Sequence, residues 1–146
     1  MASRRKARIL AFQALYAWEV SGSPLQELLG FSWMEPEKRE LLEDDIAAFS
    51  RLIIAGTIEN SADIDARITR HLSHWPFERL KKVDLAILRM GTYCLVHQRD
   101  IPPQITIDEA IEIAKEFGSD DSFKFINGVL DGINKEIAPQ TAGMPS

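Results

Sequence analysis

From Thr106 to Ile137, TIDEAIEIAKEFGSDDSFKFINGVLDGINKEI, apolar residues recur every three or four positions on both sides of a glycine-serine stop. This spacing constrains the fold more than any other feature, because it gathers side chains on one face only if the backbone is α-helical. Thr106 with Glu109 three positions later has the form of a capping box, and Ile107, Ala110, Ile111, Ala114 and Phe117 follow at helical spacing up to Gly118. Ser119 is placed to cap a second helix, with Asp120 and Asp121 in a first turn where the helix dipole favours carboxylates. Its inward stripe is Phe123, Ile126, Val129, Leu130, Ile133 and Ile137. Phe125 lies off that stripe, on a side shared with Asp121, Gly128 and Gly132. Two residues without side chains leave the backbone open there. Phe125 therefore either fills a gap against a neighbouring helix or offers a flat ring to a partner.

The rest of the chain carries the same period. Ser3 can cap a first helix reaching about Val20, with Ala7, Leu10, Ala11, Ala14, Leu15 and Trp18 on one face and Arg5, Ile9, Phe12 and Tyr16 on another. A surface helix needs only one apolar face, so this one is expected between the core and a second helix layer or a partner protein. Ser21 to Pro24 stop it, and Pro24 suits the start of a short helix through Leu29. Residues 30–36 read as a loop. From about Glu37 a long helical pattern places Leu41, Ile46, Phe49, Leu52, Ile53 and Gly56 inward, breaks near Asn60 and Ser61, and resumes with Ile64, Ile68 and Leu72 until Trp75 and Pro76 close it. Arg79, Lys81 and Lys82 lead into a helix with Val83, Ala86, Ile87, Met90 and Cys94 inward, ending before Asp100. Pro102 and Pro103 are not expected to be helical. No period-two alternation occurs. The expected fold is all-α, with six or seven helices in one domain over residues 1–138 and a loose tail at 139–146.

Composition supports a globular domain of 146 residues, 45% hydrophobic and 27% charged. No apolar run reaches the ~18 residues of a membrane span, and no signal-peptide core follows the N-terminal charges, so a cytoplasmic location is expected. Cys94 is the single cysteine, which leaves no disulfide framework. The net charge of −5 hides a polarity: of 17 lysines and arginines, four (Arg4, Arg5, Lys6 and Arg8) lie in residues 1–18 with no acid among them, and the remaining 13 face 22 acids. Four positive charges at the start of a helix oppose its dipole, so stability does not explain them.

Catalytic signatures are missing. His71 and His74 share a helical face, but no carboxylate or thiol at ligand spacing joins them into a metal site. The acid pairs Asp44–Asp45, Asp63–Asp65 and Asp120–Asp121 each fall near a helix start, where acids are ordinary. No glycine-rich phosphate loop and no nucleophile elbow is present. Neither an enzyme nor a cofactor is expected.

Three blocks in order, RRKARILAFQALYAWE, VDLAILRMGTY and EAIEIAKEFGSDDSFKFINGVLD, resemble the NusB family of bacterial transcription antitermination factors. The likeness spans roughly residues 4 to 137 and is weakest between Gly22 and Glu43. It implies two packed helical bundles and an RNA-binding adaptor that recognises the boxA element of nascent rRNA transcripts together with NusE, a small-subunit ribosomal protein. Other antitermination factors and RNA polymerase are implied as indirect partners. By position, the RNA-facing residues would be Arg4, Arg5, Lys6 and Arg8 with Lys124, Phe125 and Asn127, while Tyr16 and Asp84 would face NusE. Arginines supply phosphate attraction and an aromatic supplies a base platform, which suits single-stranded RNA. An acidic body suits a basic ribosomal partner.

Two other readings stay open. The domain could be a structural interaction module without RNA binding, or a piece of an rRNA cytosine methyltransferase, some of which carry such a domain; no cofactor-binding βαβ unit is present here. Homodimerisation is also open. On the leading reading, neutralising Arg5 and Arg8 is expected to weaken RNA binding and flatten its salt dependence by roughly 0.7 log-log units per lost contact, leaving folding almost untouched.

Overall fold

The computed structural model describes residues 3–73 and 75–142. Eight α-helices and one 3-10 turn run through them: α1 (Ser3–Ser21), α2 (Leu25–Leu29), α3 (Pro36–Glu40), α4 (Asp44–Glu59), α5 (Ser61–Arg70), the 3-10 turn Phe77–Arg79, α6 (Lys82–His97), α7 (Pro103–Phe117) and α8 (Ser122–Ala142). No strand occurs among the described residues, and no described helix is long and apolar enough to cross a membrane.

The all-α expectation holds, with α3 as the helix beyond the six or seven read from spacing. Pro36 at its first position presets the backbone angle a helix start needs. Leu41 to Glu43 then interrupt the pattern, so the phase of α4 is set independently. Leu41, expected inward, is 79% exposed, and Leu52 points away from the face formed by Ile46, Ile53, Ile54 and Thr57. The break at Asn60 falls where expected.

At the centre is α6, which packs on α1, α4, α5, α7 and α8. Every residue from Asp84 to Leu95 is buried. A single inward stripe understates this helix, because a helix covered all round needs no polar face. Gly56 lets α4 approach so closely that a Cβ there would run into the Tyr93 ring, and Gly91 receives Leu130 of α8. Buried in this packing, Arg89 donates from Nε and Nη2 to Asp65 of α5, both at 2.9 Å, and from Nη1 to Glu19 of α1 at 2.7 Å. Burial opposes its charge, but the two carboxylates outweigh burial and hold the guanidinium pKa above its ordinary value.

The last two helices depart from their expected starts. Helix α7 begins at Pro103, a turn before Thr106, because Pro102 is extended and Pro103 occupies the first helical position. Pro103 is therefore helical, Thr106 is a buried interior residue and Glu109 bonds Arg5, so the expected capping box does not form. Before α8, Ser119 donates its backbone N–H to Ser122 Oγ at 3.0 Å, closing the turn through Asp120 and Asp121. The α8 stripe of Ile126, Val129, Leu130, Ile133 and Ile137 is buried as expected, with Phe123 half-buried. Where a loose tail was expected from Pro139, the helix backbone continues to Ala142. Residues 143–146, His74 and the capping side chain of Ser3 lie outside what is described.

Ion pairs close α5 onto α8. Arg70 donates to Glu136 at 2.9 and 3.2 Å, and His71 Nε2 lies 2.8 Å from the same carboxylate. The Arg70 bond, reinforced by His71, lowers the Glu136 pKa from 4.5 to about 2. A depressed carboxylate contributes stability above its unfolded pKa and loses it as pH falls through the folded one. Native protein should therefore lose stability between about pH 4.5 and about pH 2 more steeply than Glu136→Gln. Urea unfolding of both proteins across that window checks this, and parallel curves would refute it.

Candidate nucleic-acid interface

Helix α8 emerges from the Ser119–Ser122 turn with Lys124 and Asn127 exposed and Phe125 half-buried. Phe125 touches the core and also lines a groove of about 620 Å³ between the start of α8 and the segment joining α5 to α6. The ring thus packs on the core along one side and is left open to the groove on the other. Across the groove stand Trp75, Arg79, Lys81 and Asp84. Lys81 Nζ donates to Ser119 Oγ at 2.7 Å, which fixes a cation where the two walls meet. Of the two glycines beside Phe125, only Gly128 is open; the His71 ring covers Gly132. With His71 also committed to Glu136, no cluster of three metal-ligating side chains occurs among the described residues.

The basic residues of α1 point in different directions. Arg4 lies over the Phe49 ring of α4, 4.8 Å from its centroid. Arg5 holds Glu109 of α7 with two hydrogen bonds, at 2.7 and 3.1 Å, and that bond lowers the Glu109 pKa. Lys6 borders a separate shallow cavity with Trp33, Met34 and Lys38. Arg8 overturns its expected role: it is only 3% exposed, its guanidinium lies 5.6 Å from the Phe49 centroid, and its Nε has no hydrogen-bond partner. Helical rotation carries position 8 onto the inward face with Ala7 and Ala11, where the long side chain fills space beside Cys94. Burial pushes the Cys94 thiol up to about 12, with Arg8 acting in the opposite direction.

Lys115 links the two basic regions. It lines a small cavity with Arg5, and its Nζ lies 5.3 Å from the Phe123 centroid, with Lys124 Nζ on the same ring at 5.8 Å. Tyr16 is exposed on the outer side of α1. One turn further, Glu19 accepts from Lys82 at 3.5 Å, joining α1 to the start of α6 between Tyr16 and Asp84. Asp84 itself is 6% exposed, and its buried Oδ1 has no hydrogen-bond partner. Sequence spacing did not reveal Trp75, Arg79 and Lys81 as groove residues. The available signal was an aromatic interleaved with cations in WPFERLKK.

Helices build the described fold, and a groove lined by Trp75 and Phe125 with Arg79, Lys81, Asp84 and Asp121 opens beside α8, which defines a helical protein with an aromatic, charged groove. The chain belongs to the NusB family, whose model matches residues 5–135. It is 50% identical over 132 residues to the transcription antitermination protein NusB of Treponema pallidum (strain Nichols), covering 90% of this chain and 92% of that one. The NusB protein of Treponema denticola is 49% identical, with coverage of 91% and 96%. Among solved structures, T. maritima NusB superposes with a TM-score of 0.83 at 40% identity, covering 94% of both chains. A chain from the structure of antitermination factors NusB and NusE in complex with double-stranded RNA gives 0.82 at 28% identity, with coverage of 93% and 98%.

Placement of Arg8 changes what its removal should do. Arg8→Ala should destabilise the fold by about 2–5 kcal/mol, the range for emptying a core position. Lys6→Ala should stay within about 0.5 kcal/mol of native. Thermal and urea denaturation of the two variants provide the check, and equal stability would contradict the buried assignment.

Proposed function

We propose that this protein is a transcription antitermination factor that binds boxA-type single-stranded RNA through the Phe125 groove and the exposed cations of α1, jointly with NusE. The observation that carries this reading is Phe125: an aromatic open to a groove whose rim holds Arg79 and Lys81, one residue from exposed Lys124, in a member of the NusB family. An unstacked base can lie on the ring while its phosphates meet the cations, and stacking tolerates any base. Sequence preference then comes from base edges, to which Asn127 is exposed, and from the second protein. Arg4, Arg5 and Lys6 extend the field along α1, with Lys115 between them and Lys124. Arg8 supports this surface from inside, by packing.

NusE is assigned to the side where α1 meets the start of α6. Tyr16 provides an exposed aromatic there, and Asp84, two positions after the Lys82 that holds Glu19, adds a carboxylate at the start of α6. With its body acidic, the chain attracts a basic ribosomal protein and leaves RNA attraction to local cations.

Phe125→Ala should reduce RNA affinity by about 1–3 kcal/mol, the value of one base stack. Ile126→Ala should instead lose about 2–5 kcal/mol of stability while its folded fraction binds RNA normally. Lys124→Gln should lower the salt slope of binding by roughly 0.7. Paired melting and RNA titrations test this. A Phe125→Ala protein that melts as early as Ile126→Ala, with unchanged RNA affinity, would remove the base platform.

Replacing Asp84 with Lys places like charge against a basic partner. Association with NusE should fall more than RNA binding by the isolated chain. Equal losses in the two assays would make Asp84 a structural residue.

A further inference from the structure

Trp75 lies on the connection between α5 and α6, outside the hydrophobic core. It is 52% exposed, whereas Trp18 and Trp33 are half-buried. Water-exposed indole is a large unpaid burial, and it lies in the same groove as Phe125. The segment that carries it is braced: the Trp75 backbone N–H donates to the Leu72 carbonyl at 2.9 Å, and Pro76 fixes the next backbone angle. The backbone that carries the indole is therefore fixed beside the groove.

We propose that Trp75 is a second base platform, so that single-stranded RNA crosses the groove between the α5–α6 connection and the start of α8. This rests on the RNA-binding reading above. A nucleotide needs aromatic surface for its base and cations for its phosphate, and the groove has both: Trp75 and Phe125 on its walls, Arg79 and Lys81 with them. Its volume of about 620 Å³ falls in the ~300–1,000 Å³ range of sites that enclose a small organic ligand. Lys81, fixed beside Ser119, keeps the phosphate at the edge of the groove, and the base turns inward between the rings. Bases of a duplex are stacked within the helix and cannot enter, which makes the groove selective for unpaired RNA.

Short single-stranded RNA titrated into the full chain, with indole fluorescence followed, tests the assignment. Native protein should be quenched as RNA saturates it. Trp75→Phe should bind nearly as tightly with most of the quenching gone, because a phenyl ring still stacks. Trp75→Leu should bind about 5- to 100-fold more weakly, the worth of one stack, and a duplex of equal length should quench little. If Trp75→Leu melts early, quenching in the native chain and its loss in Trp75→Phe decide the matter. RNA binding that depends on Phe125 but leaves both the fluorescence and the affinity of Trp75→Leu unchanged overturns the second platform and spares the functional reading. Weaker association of Trp75→Leu with the basic protein partner, at unchanged RNA affinity, also overturns it and gives the groove to a protein cation. No RNA binding by the native chain removes the functional reading and the platform together.

Discussion

A permanent positive charge sits in the middle of this protein, and the helices are arranged to satisfy it. Arg89 is 5% exposed on the central helix and can be there only because α5 brings Asp65 and α1 brings Glu19 to its guanidinium. Trp18 and Phe77 cover its flat faces at 5.1 and 5.9 Å. A buried pair of this kind adds little over an apolar replacement, but leaving the charge unpaired costs several kcal/mol. Its effect is therefore on arrangement: α1, α5 and the segment before α6 have a common reference point. Lysine could not replace it, since only the planar fork reaches two carboxylates on different helices at once.

The groove follows from that arrangement. With the start of α6 anchored against α1 through Glu19 and Lys82, its N-terminal approach passes close to the turn before α8, and Lys81 crosses to Ser119. Trp75 and Phe125 then face one cavity, although 50 residues separate them in the chain. Trp75 belongs to a connection and Phe125 to a helix start, both positioned by a rigid scaffold. Asp84, 6% exposed, lines the inner wall of the same groove.

Charge on α1 serves two purposes. Arg4, Arg5 and Lys6 are exposed, yet Arg4 already lies over Phe49 and Arg5 already holds Glu109, while Lys6 borders a cavity toward α3. An anion arriving at Arg5 would therefore have to compete with the Glu109 carboxylate that already holds it. Arg8 has moved from the field into the packing, where its stem fills volume between α1, α4 and α6.

Much of this could be read from sequence. Helical period alone determined the class of fold, the buried stripe of α8, the break at Asn60 and the off-face position of Phe125, because each depends on residues within a turn or two of one another. It failed where a helix start or phase was misplaced by a few residues, and where the deciding neighbour is distant in sequence. Leu41 looked inward until a three-residue interruption reset the phase, and Thr106 looked like a cap until Pro103 started the helix a turn earlier. Arg8 belonged to a basic cluster by composition, but rotation about α1 turned it inward. The burial of α6 on every side, the closeness of Trp75 to Phe125 and the unpaired oxygen of Asp84 required tertiary structure, since periodicity describes one helix at a time and says nothing about what covers its other faces.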